Sequence, residues 1–373
     1  MGPLHGLKII EIAGIGPGPF CGMLLADMGA QVIRVARDGA SDAAVDIPAR
    51  FDLMNRSRPT ITADLKSRRG VDLVLRLCEE ADAIFEGFRP GVMEKLGLGP
   101  DDCFARNERI VYGRLTGWGQ DGPLAAAAGH DTNYIALAGA LHGIGPGDRP
   151  PPVPLNLIGD FGGGALYLAV GILAAMLEAQ RSGKGQVVDA AMVDGAASML
   201  TLFHGLLANG RWVDERESNL LDGGAPFVRC YETSDGKYIA VCAIEGRFFS
   251  NLLEAMGIED IVAEDQYNVA SWREQEAILE RIFATRTRDE WSEILDGADA
   301  CAAPVLSLTE APRHPHNVAR GTFVDVDGVQ QPGPAPRFSR TPSAICQGPA
   351  EPTEDRDVLA AWGLGDDEIA ELI

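Results

Sequence analysis

The sequence predicts an α/β protein in which a large, doubly wound parallel sheet is joined to a smaller α+β domain. Three observations predict it. Over the first third of the 373 residues, short apolar runs alternate with helical patterns, as expected of βαβ units whose strands are covered on both faces. The turn after the first run, Gly14-Ile15-Gly16-Pro17-Gly18-Pro19, is glycine-rich where a strand should enter a helix. After Gly210 the texture changes, and two alternating segments meet at Ser234-Asp235-Gly236, a hairpin signal foreign to a purely parallel fold.

Taken in order, residues 7–13 read as a strand, 20–28 as a helix and 31–36 as a second strand. A strand-like run at 60–65, a helical pattern at 70–80 and strands at 83–87 and 110–115 complete a Rossmann-like series. Two long helical patterns, 163–181 and 189–209, flank Ser182-Gly183-Lys184-Gly185. Segments 228–233 and 237–243 form the hairpin, followed by helices at 248–256 and 272–295. A second hairpin begins at 322–326 and turns at Asp327-Gly328; residues 331–342 are proline-rich and read as a linker. The last twenty residues are helical, with Val358, Leu359, Trp362, Leu364, Ile369 and Leu372 available to pack on a core. The expected division is a large domain at 1–190, a helical linker at 191–227, a small α+β domain at 228–326, and a linker with a returning C-terminal helix at 327–373.

Composition narrows the function. Hydrophobic residues make up 46% and charged residues 23%, ordinary for a folded soluble chain. The formal charge of −22 disfavours a nucleic-acid partner, which needs a basic face. Seven scattered cysteines without metal-ligand spacing point to a reducing compartment and to no metal. The N-terminal residues lack a basic, apolar leader pattern. Residues 161–177 are uncharged, but rich in glycine and alanine, and read as a buried helix rather than a membrane span. A cytoplasmic protein without membrane association is the expectation.

Several residues carry candidate chemistry. Arg37 ends the second strand, where an NAD site would place a carboxylate and a ribose phosphate would take a cation. Lys66 and Arg89 follow two further strands. Cations at several strand ends suggest an anion site, although each alone reads first as plain surface. His130, in Gly129-His130-Asp131, is a candidate general base, because imidazole titrates near neutrality; a lone histidine is also commonly structural. Asp160 precedes Phe161-Gly162-Gly163-Gly164, where it can serve as a helix cap or, beside bare glycine N–H groups, as a catalytic carboxylate near an oxyanion. Glu245 lies between the hairpin and the next helix. His314 and His316 have no acidic or cysteine partner at ligand spacing.

Nine ordered segments, spread through essentially the whole chain, resemble the family III coenzyme A transferases, and within them the branch that racemises 2-methylacyl-CoA thioesters. They include LHGLKIIEIAGIGPGP at 4–19, LADMGAQVIRVAR at 25–37, TADLK at 62–66, EGFRPGVMEKLGL at 86–98, LTGWGQDGP at 115–123, GHDTNY at 129–134, NLIGDFGGG at 156–164, GKGQVVDAAMVD at 183–194 and DGGAP at 222–226. The resemblance implies the family III CoA-transferase fold in an interlocked homodimer. It implies an isomerase that moves the α-proton between the two faces of an acyl-CoA through an enolate, with no cofactor beyond the coenzyme A of the substrate. His130 and Asp160 are then the two bases, with Glu245 paired to the histidine. The implied CoA contacts are Ile15, Arg37, Ala63, Asp64, Leu65, Lys66, Gly87, Phe88, Arg89, Lys95, Gly129, Asp131, Thr132, Asn133 and Tyr134.

Two departures stand out from the racemase pattern: Lys95 where an arginine is expected, and Gly246 where a proline is expected, which would loosen the loop holding Glu245. The alternative on the same fold is an acyl-CoA:carboxylate CoA-transferase, in which Asp160 attacks the thioester as a nucleophile. Against it stand His130 and the segment Cys242-Ala243-Ile244-Glu245-Gly246, where transferases carry a glycine-run loop. A CoA-binding protein without catalysis and an NADP oxidoreductase are the remaining readings.

Overall fold

The computed structural model describes residues 2–37, 47–349 and 355–372. The chain forms two compact units, one of Met1–Ala138, Leu155–Met199 and Val318–Ile373, the other of Gly139–Pro154 and Leu200–Asn317. These limits differ from the expected boundaries at 190 and 228, because the chain enters the second unit twice.

The first unit is built on β1 (Lys8–Ile12), α1 (Pro17–Asp27), β2 (Gln31–Ala36), β3 (Thr60–Thr62), α2 (Arg68–Cys78), β4 (Ala83–Glu86), α3 (Val92–Leu96), α4 (Pro100–Arg106), β5 (Val111–Thr116) and α5 (Asp131–Leu137). A π-helix at Leu157–Leu166 runs directly into α6 (Tyr167–Ser182), followed by β6 (Val187–Ala191) and α7 (Met192–Met199). The six strands are all parallel in the order β3-β2-β1-β4-β5-β6, the order of the dinucleotide-binding folds.

Alternation along each strand explains the apolar runs. In β1, Ile10 and Ile12 enter one core, with Leu73, Leu77 and Met93. Ile9, on the opposite phase of the pleat, enters the other, with Leu25, Leu168 and Ile172. Two-sided burial demands apolar residues at both phases of the pleat.

Two expectations are corrected. Residues 189–209 do not form one helix: β6 takes 187–191 and pairs with β5 from Tyr112↔Val187 to Thr116↔Ala191. Its partial exposure at the sheet edge admits Asp189, which masks the strand signal. The hairpin of β10 (Phe323–Val326) and β11 (Val329–Pro332) extends into the expected linker and belongs to the first unit. Buried Arg56 fastens it there, donating to Gln331 Oε1 and Pro332 O at 2.8 Å while pairing with Asp27. Helices α13 (Asp355–Ala361) and α14 (Asp366–Leu372) and the turn between them bury Val358, Leu359, Trp362, Leu364 and Ile369 in the first core.

That unit holds α8 (Thr201–Ala208) and an antiparallel sheet of β7 (Val228–Glu232), β8 (Tyr238–Cys242) and β9 (Ala302–Pro304), packed with α9 (Gly246–Met256), α10 (Trp272–Phe283) and α11 (Arg288–Leu295) around Phe227, Tyr231, Phe249 and Phe283. Helix α12 (Pro315–Arg320) spans the exit to the first unit. Among the described residues one helical run, Leu157–Ser182, is long and apolar enough to cross a membrane; Leu168, Ala169, Ile172, Ala175, Met176 and Ala179 along it lie in the protein interior.

Candidate active site

Because the strands are parallel, their carboxyl ends share one edge, and the expected CoA residues gather along it. Ile15 follows β1, Arg37 follows β2, Ala63 to Lys66 follow β3, and Gly87, Phe88 and Arg89 follow β4; Lys95 lies on α3 just beyond. Ile15, Arg37, Asp64, Lys66, Gly87, Arg89 and Lys95 are exposed, whereas Ala63 is buried and Leu65 and Phe88 pack on the core. The crevice of such a sheet lies where connections leave in opposite directions, here between β1 and β4.

At the β1 end, Gly16 caps α1 with φ of 69°, a conformation that glycine reaches without strain. A side chain there would start 3.3 Å from Asp160 Oδ2. Phe20 on α1 stacks on Phe161, with ring centroids 4.6 Å apart. The glycine-rich turn therefore lies against the carboxylate of Asp160.

Asp160 does not cap an α-helix, as one reading of the sequence has it. It sits in the first turn of the π-helix, whose cap position is Asn156. Asn156 Nδ2 donates to Asp160 Oδ2 at 3.1 Å. Burial pushes the Asp160 carboxyl above the ordinary aspartate range; the Asn156 bond pulls it down, the Asp131 charge raises it and His130 lowers it.

His130 is exposed at the N-cap of α5, its backbone N–H donating to Asn133 Oδ1 at 3.0 Å. The neighbouring Asp131 points the other way. It is 4% exposed, and its Oδ2 accepts the N–H groups of Gly159 at 2.6 Å and Asp160 at 2.8 Å. The two proposed bases are thus joined through one carboxylate, covalently on the His130 side and by two hydrogen bonds on the Asp160 side. Tyr134 also turns inward, its hydroxyl donating to Gly129 O and its ring meeting Trp118 edge-on at 4.8 Å. The side chains of Asp131 and Tyr134 are therefore engaged within the fold, leaving Thr132, Asn133 and the backbone of Gly129 nearer the surface.

The glycine run meets a different demand from the one expected. Gly163 and Gly164 are buried in the π-helix, with Gly163 facing Gly195 of α7. Amides inside a π-helix serve carbonyls five residues back, so this run supports packing and is no open oxyanion cradle.

Sequence reasoning overlooked Asn156, Gly16 and the clamping role of Asp131, although all three lie in segments it singled out. It also missed Glu86, buried at the end of β4, where burial pushes its carboxyl up to about 7 against the pull of the Phe88 N–H bond and Arg114. In the second unit, Glu245 is exposed at the N-cap of α9.

Residues 4–358 match the family described as CoA-transferase family III. The chain is 42% identical to α-methylacyl-CoA racemase of Mus musculus, over 99% of this chain and 96% of that protein. It is 40% identical to α-methylacyl-CoA racemase of Homo sapiens with the same coverage. A solved CAIB/BAIF family protein from Brucella suis superposes with a TM-score of 0.82 at 29% identity, covering 96% of this chain and 99% of that one. The family match over residues 4–358 and these similarities lead to one conclusion: the chain belongs to CoA-transferase family III.

Proposed function

We propose that this protein is an isomerase that interconverts the (R) and (S) epimers of 2-methylacyl-CoA thioesters by 1,1-proton transfer. The observation that carries the reading is the joining of His130 to Asp160 through Asp131, supported by the 40% and 42% identity to two racemases. The thioester acidifies its α-proton. One base removes it from one face, an enolate forms, and the conjugate acid of the other base returns a proton to the opposite face. An aspartate whose pKa is raised by burial suits both duties, because its acid form persists nearer to working pH.

In this reading Glu245 is the partner of the His130 imidazole, fixing its tautomer and stabilising its charged form. The strand-end residues hold coenzyme A, with Arg37 on a phosphate. Arg37→Ala should then raise KM with kcat nearly unchanged in steady-state assays, the signature of binding that ground and transition states share. The protein acts as a homodimer in the cytoplasm, without a cofactor of its own. Exposed Leu166, Tyr167, Val170 and Leu177 along one helical run support an association face.

The deciding experiment is proton NMR of the protein with a single 2-methylacyl-CoA epimer in deuterated buffer and no carboxylate acceptor. Loss of the α-proton signal with appearance of the other epimer is expected. CoA transfer to an added carboxylic acid, without exchange, would instead make Asp160 a nucleophile and the protein a CoA-transferase.

The geometry also predicts a pH effect. Proton removal by Asp160 requires its anion, so the rate in that direction falls as pH drops through the Asp160 pKa. Asp131 is one cause holding that pKa up. Asp131→Asn removes the like charge while keeping an oxygen for the two amides, so the acid limb of the kcat profile should move to lower pH. An unmoved limb would show that the Asp131 charge is not felt at Asp160.

A further inference from the structure

Glu245 is the N-cap of α9, its carbonyl accepting the N–H groups of Phe248 at 2.9 Å and Phe249 at 3.1 Å. It is exposed, and Gly246 after it has no side chain to restrict the backbone. The two carbonyls in front of it, ahead of the helix, are captured from one side. Gln266, 2% exposed, donates through Nε2 to Ala243 O and to Ile244 O, both at 2.8 Å. Tyr267 donates its hydroxyl to the same Ile244 carbonyl at 2.5 Å.

Both donors are themselves fixed. The Gln266 carbonyl accepts Trp272 Nε1–H at 2.8 Å, and the Tyr267 ring meets Phe227 edge-on with centroids 5.4 Å apart. Phe227 and Trp272 belong to the core of the second unit. The Tyr267 phenol is also near the carboxylate: its pKa is raised by burial first and then by the Glu245 charge. A buried side-chain amide with both bonds committed to consecutive carbonyls is a specific arrangement, because rotating either peptide orphans a buried donor.

We propose that Gln266 and Tyr267 are positioning residues for Glu245, latching the carbonyls of Ala243 and Ile244 so that the carboxylate is presented at a fixed point. They hold the residues before Glu245, where the hydrogen bonds of α9 do not reach. The proposal rests on the reading of Glu245 as the partner of the catalytic histidine, and it adds two residues to the specification of that reaction.

The test is a double-mutant cycle on the full-length protein, with 2-methylacyl-CoA interconversion as the readout and thermal unfolding as the control. Tyr267→Phe removes one hydroxyl and keeps the ring against Phe227. It should lower kcat about tenfold, with KM and the unfolding midpoint nearly unchanged. In a Glu245→Gln background the same change should have no effect on kcat, because the group being positioned is gone. Gln266→Glu removes the donor amide at nearly constant volume and should repeat the pattern more strongly.

An equal kcat loss in both backgrounds, or a loss that tracks the unfolding midpoint, would overturn the positioning role. Failure of the underlying reading looks different: a wild-type protein without interconversion, or a Glu245→Gln variant with wild-type kcat, removes the reaction or the glutamate from the account and the latch with it.

Discussion

Replacing His130 with alanine is expected to slow epimer interconversion about a thousandfold, while thioester affinity changes by no more than about twofold. The asymmetry follows from where His130 stands. It is exposed at the cap of α5; Asp131 ties α5 to the π-helix and the His130 backbone N–H caps α5 through Asn133, and neither contact involves the imidazole. Removing the ring therefore deletes a proton carrier and leaves the frame intact. Steady-state rates for both epimers, beside equilibrium binding of a non-exchangeable thioester, measure the two effects separately. Wild-type interconversion in this variant would eliminate His130 as a base.

Gly195→Ala should damage the frame instead. A methyl group there would begin 1.9 Å from the Gly163 carbonyl oxygen and 2.7 Å from its Cα. Gly163 offers no relief, since a Cβ placed on it would stand 2.7 Å from Ala196 N. Both walls are backbone, so the π-helix and α7 must separate, at about 3 kcal/mol of stability. The same movement displaces Asp160, so activity should fall together with the unfolding midpoint. Gly205→Ala on α8 is the matched control. A Cβ there meets nothing within 4 Å, and the helix should gain about 1 kcal/mol from the change. Equal midpoints for the two variants would contradict the close approach.

What was legible in the sequence follows from how each element is buried. Strands β1, β2, β4 and β5 announced themselves because each feeds both cores, leaving apolar runs between helices, whereas the edge strand β3 feeds one core through Ile61. Strand β6 hid behind Asp189, which its edge position tolerates and which accepts the Gln120 N–H at 3.0 Å. The π-helix left no periodic signal, since its glycines are selected by contact with α7 rather than by facing one side. His130, Asp160 and Glu245 were visible as candidates through the resemblance, and the edge of the sheet gathers the expected CoA positions. The work of Asp131 was not visible, because a buried carboxylate clamp and a surface contact are written with the same letter. The latch on Glu245 was likewise out of reach: Gln266 and Tyr267 lie in a segment that carries no motif, some twenty residues from the carbonyls they hold.

The helices at residues 355–372 cover one face of the parallel sheet with Val358, Leu359, Trp362, Leu364 and Ile369. This has a consequence for biosynthesis. Strands β1 and β2 leave the ribosome about 350 positions ahead of the residues that seal that face. The second unit, contained within residues 139–317, has all of its partners much earlier. The order of maturation thus inverts the order of synthesis, and the nascent sheet is the species that a chaperone would have to shield.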